Sequence, residues 1–227
     1  MTASYSKVLA FGSSTTWGWG GGSGGFSAAN GDYEGDSYPR QLAALSGWNV
    51  VNYGIVGDRV TTATAHDPHP CSVRFATMLA GNPDADAVVI WIGENDVSNG
   101  SAATQIVNGY KQLIAAASTA GTQTFIATLS GAGYSATAAK EVTRQQVNNW
   151  IRQNHGQDGC VEVEGALMGA SRQVMVSDYV ADGMTANPQT GYPHLTPVGY
   201  AVVAQTMYLA LLNPACPVPP VTYSGRV

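Results

Sequence analysis

The octapeptide Asp86-Ala-Val-Val-Ile-Trp-Ile-Gly93 is the most informative part of the sequence for the fold. A continuous apolar run that stops at a glycine is typical of a strand buried on both faces, and such strands belong to parallel sheets. On either side of it, apolar runs alternate with segments of helical periodicity. Further strands are predicted at 7–11, 49–53, 124–129 and 160–164. Helices are predicted at 38–46, 104–120, 136–155 and 197–212.

This alternation predicts an α/β fold in which a mostly parallel sheet is covered by helices on both faces. We expect residues 1–212 to form a single domain and residues 213–227 to form a proline-rich tail. In parallel sheets, chemistry collects at the carboxyl ends of the strands, so the residues that follow each strand are the first place to look for a functional site.

The composition excludes some classes of partner. Only 11% of the 227 residues are charged and the formal net charge is −5. The ten basic residues are scattered, whereas a nucleic-acid binder would show clustered Lys and Arg. No apolar run approaches the roughly 18 residues of a membrane helix. We therefore expect a small neutral or carbohydrate substrate, no nucleic-acid partner and no membrane partner; no oligomeric state is predicted.

The N-terminus enters a strand without a secretion signal, which leaves a cytoplasmic protein or an exported one whose leader has been removed. The three cysteines, Cys71, Cys160 and Cys216, have no Cys-x-x-Cys spacing, so neither a zinc site nor a redox pair is indicated. One disulfide with one thiol, or three thiols, are both compatible with the sequence. His66, Asp67 and His69 resemble no metal motif and are expected in a surface loop.

Four polar segments form a coherent chemical set. Residues 12–16 (Gly-Ser-Ser-Thr-Thr), 52–57 (Asn-Tyr-Gly-Ile-Val-Gly) and 93–96 (Gly-Glu-Asn-Asp) each follow a predicted strand, and residues 194–200 begin with His and open the last helix. A hydroxyl, a histidine, an amide and glycines with accessible backbone N–H groups are what acyl transfer requires. They supply a nucleophile, its base and donors for the oxyanion.

These four segments, in this order, resemble the four sequence blocks of the SGNH (GDSL-like) hydrolases. The resemblance touches about thirty residues but spans most of the chain, from Phe11 to Tyr200. It implies a flavodoxin-like three-layer α/β/α sandwich and a serine ester hydrolase that needs no metal or organic cofactor. By position it implies Ser14 as nucleophile and His194 as general base. It also implies an oxyanion hole made of the Ser14 and Gly57 N–H groups and the Asn95 amide.

Two positions depart from the family pattern. Ser13 stands where an aspartate usually precedes the nucleophile, and Gly191 stands where the catalytic acid usually lies, three residues before the histidine. Asp182, in an Asp-Gly-Met-Thr stretch, is our first candidate for the acid, and Asp178 is the second. A Ser–His dyad, in which a backbone carbonyl orients the ring, is the third alternative.

The sequence therefore predicts a carboxylic ester hydrolase that cleaves short-acyl esters, including acetylated carbohydrates, through an acyl-enzyme on Ser14. The alternative is a non-catalytic carbohydrate-binding or assembly protein on a decayed hydrolase scaffold, and the glycine at position 191 is its main support. A nucleotide-binding flavodoxin-like protein is a weaker third hypothesis. The pattern Gly20-x-Gly22-x-x-Gly25 fits the dinucleotide fingerprint, but it follows no strand and opens no helix.

Overall fold

The computed structural model describes residues 5–18, 36–62, 70–130, 138–168, 176–179 and 194–214. Among these residues no helix has the length and apolar character needed to cross a membrane. The candidate acid Asp182, the position of Gly191, the His66–His69 segment and residues 215–227 of the predicted tail lie outside the described residues.

A five-stranded parallel sheet forms the centre of the molecule, with the strand order β2-β1-β3-β4-β5. The strands are β1 (Lys7–Gly12), β2 (Asn49–Gly54), β3 (Ala87–Trp91), β4 (Gln123–Ala127) and β5 (Gly159–Val161). Gly12 pairs with Gly54 on one side and with Trp91 on the other. The carboxyl ends of β2, β1 and β3 are therefore level, and the polar segments that follow these strands emerge together.

Helices surround this sheet. Eight are present in the described ranges: α1 (Ser14–Trp17), α2 (Tyr38–Ser46), α3 (Cys71–Ala80), α4 (Glu94–Ser98), α5 (Ala103–Ala120), α6 (Ala138–Arg152), α7 (Val163–Leu167) and α8 (Pro197–Leu212). A 3₁₀ helix, Ser177–Tyr179, precedes α8.

Alternation along the buried strands separates two cores. In β1, Val8 and Ala10 face the core that includes residues of α2, α7 and α8, whereas Leu9 and Phe11 face the core that includes residues of α3, α5 and α6. Every residue of β3 is buried, as expected for an apolar strand that is covered on both faces. The predicted α/β/α sandwich is confirmed.

One strand prediction is wrong in part. The run 160–164 was expected to be extended throughout, but the strand ends at Val161 and α7 begins at Val163. The carboxylate of Glu162 accepts a hydrogen bond from Gly165 N and caps this helix. Alternating Val and Glu residues are typical of a strand, but here the Glu162 cap starts a helix instead.

Other elements differ from prediction at their ends or were not predicted. The helix expected at 136–155 ends at Arg152, and His155 beyond it stacks on Trp150. The helices α1, α3 and α4 were not predicted. Of the two cysteines that the structure describes, Cys160 is disulfide-bonded and Cys71 is a buried thiol, which excludes the alternative of three thiols.

Candidate active site

Ser14 lies at the sharp change of direction between β1 and α1. Ser13 has an extended backbone and accepts hydrogen bonds from Thr16 N and Trp17 N, which closes the first helical turn directly after the strand. Ser14 is the first helical residue and is 7% exposed. Its side chain is therefore held at the carboxyl edge of the sheet by the backbone on both sides.

The hydroxyl of Ser14 contacts His194. The distance between Ser14 Oγ and His194 Nε2 is 3.0 Å, a hydrogen-bond distance, although 180 positions separate the two residues. The Ser13 hydroxyl instead lies 3.5 Å from Thr15 Oγ1. The structure thus brings together the two residues that the sequence proposed as nucleophile and base, and it distinguishes Ser14 from Ser13 by this contact.

The start of α8 holds His194 in place. Two residues after the histidine, the Thr196 hydroxyl accepts a hydrogen bond from Gly199 N and donates one to the carbonyl oxygen of Asp178. Burial lowers the pKa of His194 to about 4, because desolvation penalises the charged imidazolium. A neutral imidazole is the form that can accept a proton from a serine hydroxyl.

The segment after β2 runs against the segment after β1. Ile55 N donates to the carbonyl oxygen of Gly12 over 3.0 Å, and a Cβ on Gly54 would lie 2.1 Å from Trp17 N, so only glycine permits this approach. Gly57 has a φ of +76°, a left-handed conformation that other residues adopt at a cost. The sequence places a glycine where this loop adopts a left-handed conformation.

Asn95 and Asp96 of α4 both bind this loop from the β3 side. Asn95 is 7% exposed, and its Nδ2 donates to the carbonyl oxygen of Asp58 over 2.9 Å. An amide NH₂ has two hydrogens, so the other can be offered to a ligand. The buried Asp96 carboxylate accepts hydrogen bonds from Val60 N and Thr61 N. These contacts give Asp96 a structural role.

Glu94 is a buried carboxyl group at the beginning of α4, one residue before Asn95. Burial, with a smaller contribution from the neighbouring Asp96 carboxylate, raises its pKa to about 7. Near neutral pH a large fraction of this side chain is therefore protonated. Protonation limits the negative charge that would oppose an anion next to Asn95.

Arg74 of α3, like Glu94, was not predicted from the sequence to belong to the site. Its guanidinium is paired with the Asp58 carboxylate, donates to the Tyr53 carbonyl oxygen, and lies 3.9 Å from the centre of the Phe11 ring. The apolar residues Cys71, Phe75, Met78 and Leu79 recur at helical spacing, which is the signal that could have predicted α3. The contacts of Arg74 itself depend on tertiary structure.

Of the two candidate acids, only Asp178 lies within the described residues. Asp178 lies in the 3₁₀ helix, its side chain is exposed, and its backbone carbonyl accepts the hydrogen bond from Thr196. Asp182 and Gly191 lie outside the described residues. The three alternatives for orienting His194 therefore remain those of the sequence.

Comparisons with known proteins give the family and support the fold. Residues 10–202 match the model of the GDSL-like lipase/acylhydrolase family. A search of curated proteins found no match. Among solved structures, a carbohydrate acetylesterase from Sinorhizobium meliloti is 15% identical, with a TM-score of 0.68 over 90% of this chain and 97% of that one.

Two further solved structures have the same fold. The aryl esterase of M. smegmatis is 15% identical, with a TM-score of 0.67 over 92% of this chain and 98% of that chain. A member of the lipolytic G-D-S-L family from Veillonella parvula is 17% identical, with a TM-score of 0.63 over 88% of this chain and 94% of that chain. At these identities the structures support the fold, and the match to the family model carries the classification. The chain belongs to the GDSL-like lipase/acylhydrolase family and is a carboxylic ester hydrolase.

Proposed function

We propose that the protein hydrolyses short-acyl esters, including acetyl esters of carbohydrates, through an acyl-enzyme on Ser14. The observation that carries the proposal is the 3.0 Å contact between Ser14 Oγ and His194 Nε2. A serine hydroxyl is a weak nucleophile until a neutral base takes its proton, and the depressed pKa of His194 keeps that base neutral.

The proposed reaction has two steps. Ser14 Oγ attacks the ester carbonyl while His194 Nε2 takes the hydroxyl proton, and the resulting oxyanion is held by the Ser14 and Gly57 N–H groups and by Asn95 Nδ2. His194 then gives the proton to the leaving alcohol. In the second step His194 takes a proton from water, the hydroxide attacks the acyl-enzyme, and the acid leaves with Ser14 reprotonated.

Two observations support a small neutral substrate. The chain has few charged residues, so it offers little with which to recognise a charged ester. One of the structurally similar proteins is a carbohydrate acetylesterase. A non-catalytic carbohydrate-binding or assembly protein is less well supported, because a binding protein has no need of a buried serine–histidine contact.

The test is hydrolysis of p-nitrophenyl acetate, butyrate and octanoate by the wild type, Ser14→Ala and Ser13→Ala, with acetate release from a peracetylated monosaccharide as a second assay. We expect the rate to fall with acyl length and Ser14→Ala to lose about 10⁴-fold or more in kcat. Ser13→Ala, the matched control, should stay within a few-fold of wild type.

A fluorophosphonate label provides a readout without turnover. We expect one adduct, located at Ser14 by peptide mass spectrometry and absent from Ser14→Ala. Normal turnover by folded Ser14→Ala would refute the proposed nucleophile. A folded wild type that neither turns over esters nor accepts the label would favour the binding protein.

A further inference from the structure

Arg74 binds both ends of the loop that follows β2. Its Nη1 donates to the carbonyl oxygen of Tyr53 over 2.7 Å, and its Nη2 pairs with the Asp58 carboxylate. The same Nη2 approaches the carbonyl oxygen of Gly12 at 3.5 Å. Side-chain exposure is 11% for Arg74 and 1% for Asp58, so water competes little for this ion pair.

Each of these acceptors is close in the chain to a group of the proposed mechanism. Gly12 is two residues before Ser14, and Asp58 directly follows Gly57. The backbone carbonyl of Asp58 also accepts the hydrogen bond from Asn95 Nδ2. One guanidinium is thus connected, through short and mostly buried links, to all three proposed oxyanion donors.

We propose that Arg74 and Asp58 form a positioning pair that sets the geometry of the oxyanion hole, an inference that rests on the proposed function. Donors to an oxyanion are effective only when they are already aimed at the position where charge develops. Within residues 54–58 the backbone contributes few bonds of its own, among them Asp58 N to the Ile55 carbonyl oxygen at 3.1 Å. The pair supplies the fixation that this turn needs.

The planar fork of arginine suits this task better than a lysine. A guanidinium can donate in several fixed directions at once. Here it donates to a carbonyl oxygen of β2, to a carboxylate and, over 3.5 Å, to a carbonyl oxygen of β1. The Phe11 ring beneath it restricts the plane of the guanidinium. An ammonium keeps the charge but cannot hold all of these acceptors in one geometry.

The first test separates positioning from stability. Arg74→Met, Arg74→Lys and Asp58→Asn are compared with Arg152→Met, which removes another buried arginine, one that pairs with Glu162 and Glu164. On p-nitrophenyl acetate we expect kcat to fall roughly 10- to 100-fold in Arg74→Met and Asp58→Asn with KM within about two-fold, because oxyanion donors act in the transition state. Arg74→Lys should retain an intermediate kcat.

The control variant, Arg152→Met, should have a lower melting temperature than the wild type but should retain its kcat in assays well below that temperature. In addition, Arg74→Met/Asn95→Ala should lose clearly less than the product of the two single losses, since both substitutions damage the same oxyanion hole. Independent, multiplying losses would overturn the proposal, as would Arg74→Met and Asp58→Asn variants that lose only stability.

The second test does not depend on turnover. Hydrogen–deuterium exchange of the peptide covering residues 54–61 should accelerate in Arg74→Met and Asp58→Asn but not in Arg152→Met. Unchanged exchange in this peptide would overturn the positioning role whatever the activity. An inactive wild type with accelerated exchange in the variants would refute the proposed esterase chemistry while supporting the structural pair. If Arg74→Met fails to fold, Asp58→Asn and Arg74→Lys give the same comparisons.

Discussion

At the scale of single residues, the proposed chemistry depends on side chains that are almost completely buried. Ser14, Asn95 and His194 are each 7% exposed. The segments that hold them could be picked out from the sequence because each follows a strand or precedes a helix, and the resemblance to the hydrolase family then implied the individual residues. The supporting residues could not, since Arg74 finds its acceptors at positions 12, 53 and 58, far from it in sequence.

Asn95 can be tested as an oxyanion donor. We expect Asn95→Ala to lower kcat by about 10²–10³ with little change in KM, and Asn95→Asp to be at least as impaired because its carboxylate repels the oxyanion. Asn213→Ala, which removes an exposed amide, is the control. The measurement is steady-state hydrolysis of p-nitrophenyl acetate; a rise in KM with unchanged kcat would contradict the assignment.

The pH dependence tests the burial of His194. Because burial lowers its pKa to about 4, the neutral base persists in the free enzyme well below the ordinary value of 6.5. We expect the acid limb of kcat/KM to have its midpoint below pH 6. The unfolded chain binds a proton at this residue between pH 6.5 and 4 whereas the folded one does not, so its contribution to stability is lost as pH falls through this window.

The profile is measured with an ester whose own hydrolysis is corrected for at each pH. A midpoint at or above 6.5 would contradict the expectation. It would mean that the charged imidazolium is stabilised in the folded protein as well as it is in water.

At the scale of elements, prediction succeeded where the signals are local. The bounds of α2 and α8 agree with the sequence to the residue, because Gly47 ends the first and Thr196-Pro197 begins the second. α4 escaped prediction because it is only a five-residue helix. Short helices have weak periodicity, and tertiary contacts determine them.

The cap of α8 gives a prediction at this scale. Thr196→Ala removes both the cap to Gly199 N and the bond to the Asp178 carbonyl, so we expect a loss of about 1–2 kcal/mol in the free energy of unfolding. Thr206→Ala is the matched control, since its hydroxyl bonds only to the carbonyl one turn earlier in the same helix. Urea denaturation measures both, and equal losses would contradict the cap.

At the scale of the whole molecule, a buried ion cluster joins the elements on the β4–β5 side of the sheet. The Glu164 carboxylate of α7 contacts Arg144 and Arg152 of α6, and Arg144 also donates to the Leu129 carbonyl oxygen, just after β4. Burial acts to raise the pKa of Glu164, but the two arginines outweigh it and the pKa lies below its ordinary value. The sequence gives no sign of this cluster, because its members are brought together only by the packing of α6.

Glu164→Gln should therefore destabilise the protein by about 3 kcal/mol, since two buried guanidinium groups lose the buried carboxylate that they share. Glu141→Gln, which removes a more exposed partner of Arg144, should cost about 1 kcal/mol or less. Urea unfolding at pH 7 measures both. The stability that Glu164 contributes is present above its ordinary pKa of 4.5 and is lost as pH falls below that value. The difference in the free energy of unfolding between wild type and Glu164→Gln should therefore become smaller in acid.

The contact between Ser14 and His194 also makes enzymatic activity a report on complete assembly. The proposed nucleophile is synthesised early and its proposed base 180 positions later, so by this mechanism a growing chain cannot turn over an ester until His194 and the helix α8 that follows it have docked at the end of β1. Proteolytic loss of that helix would silence the protein without touching the serine. After dilution from urea, the rate at which turnover returns would therefore measure how fast the Ser14–His194 contact forms. Formation of the sheet and helices can be followed separately by circular dichroism.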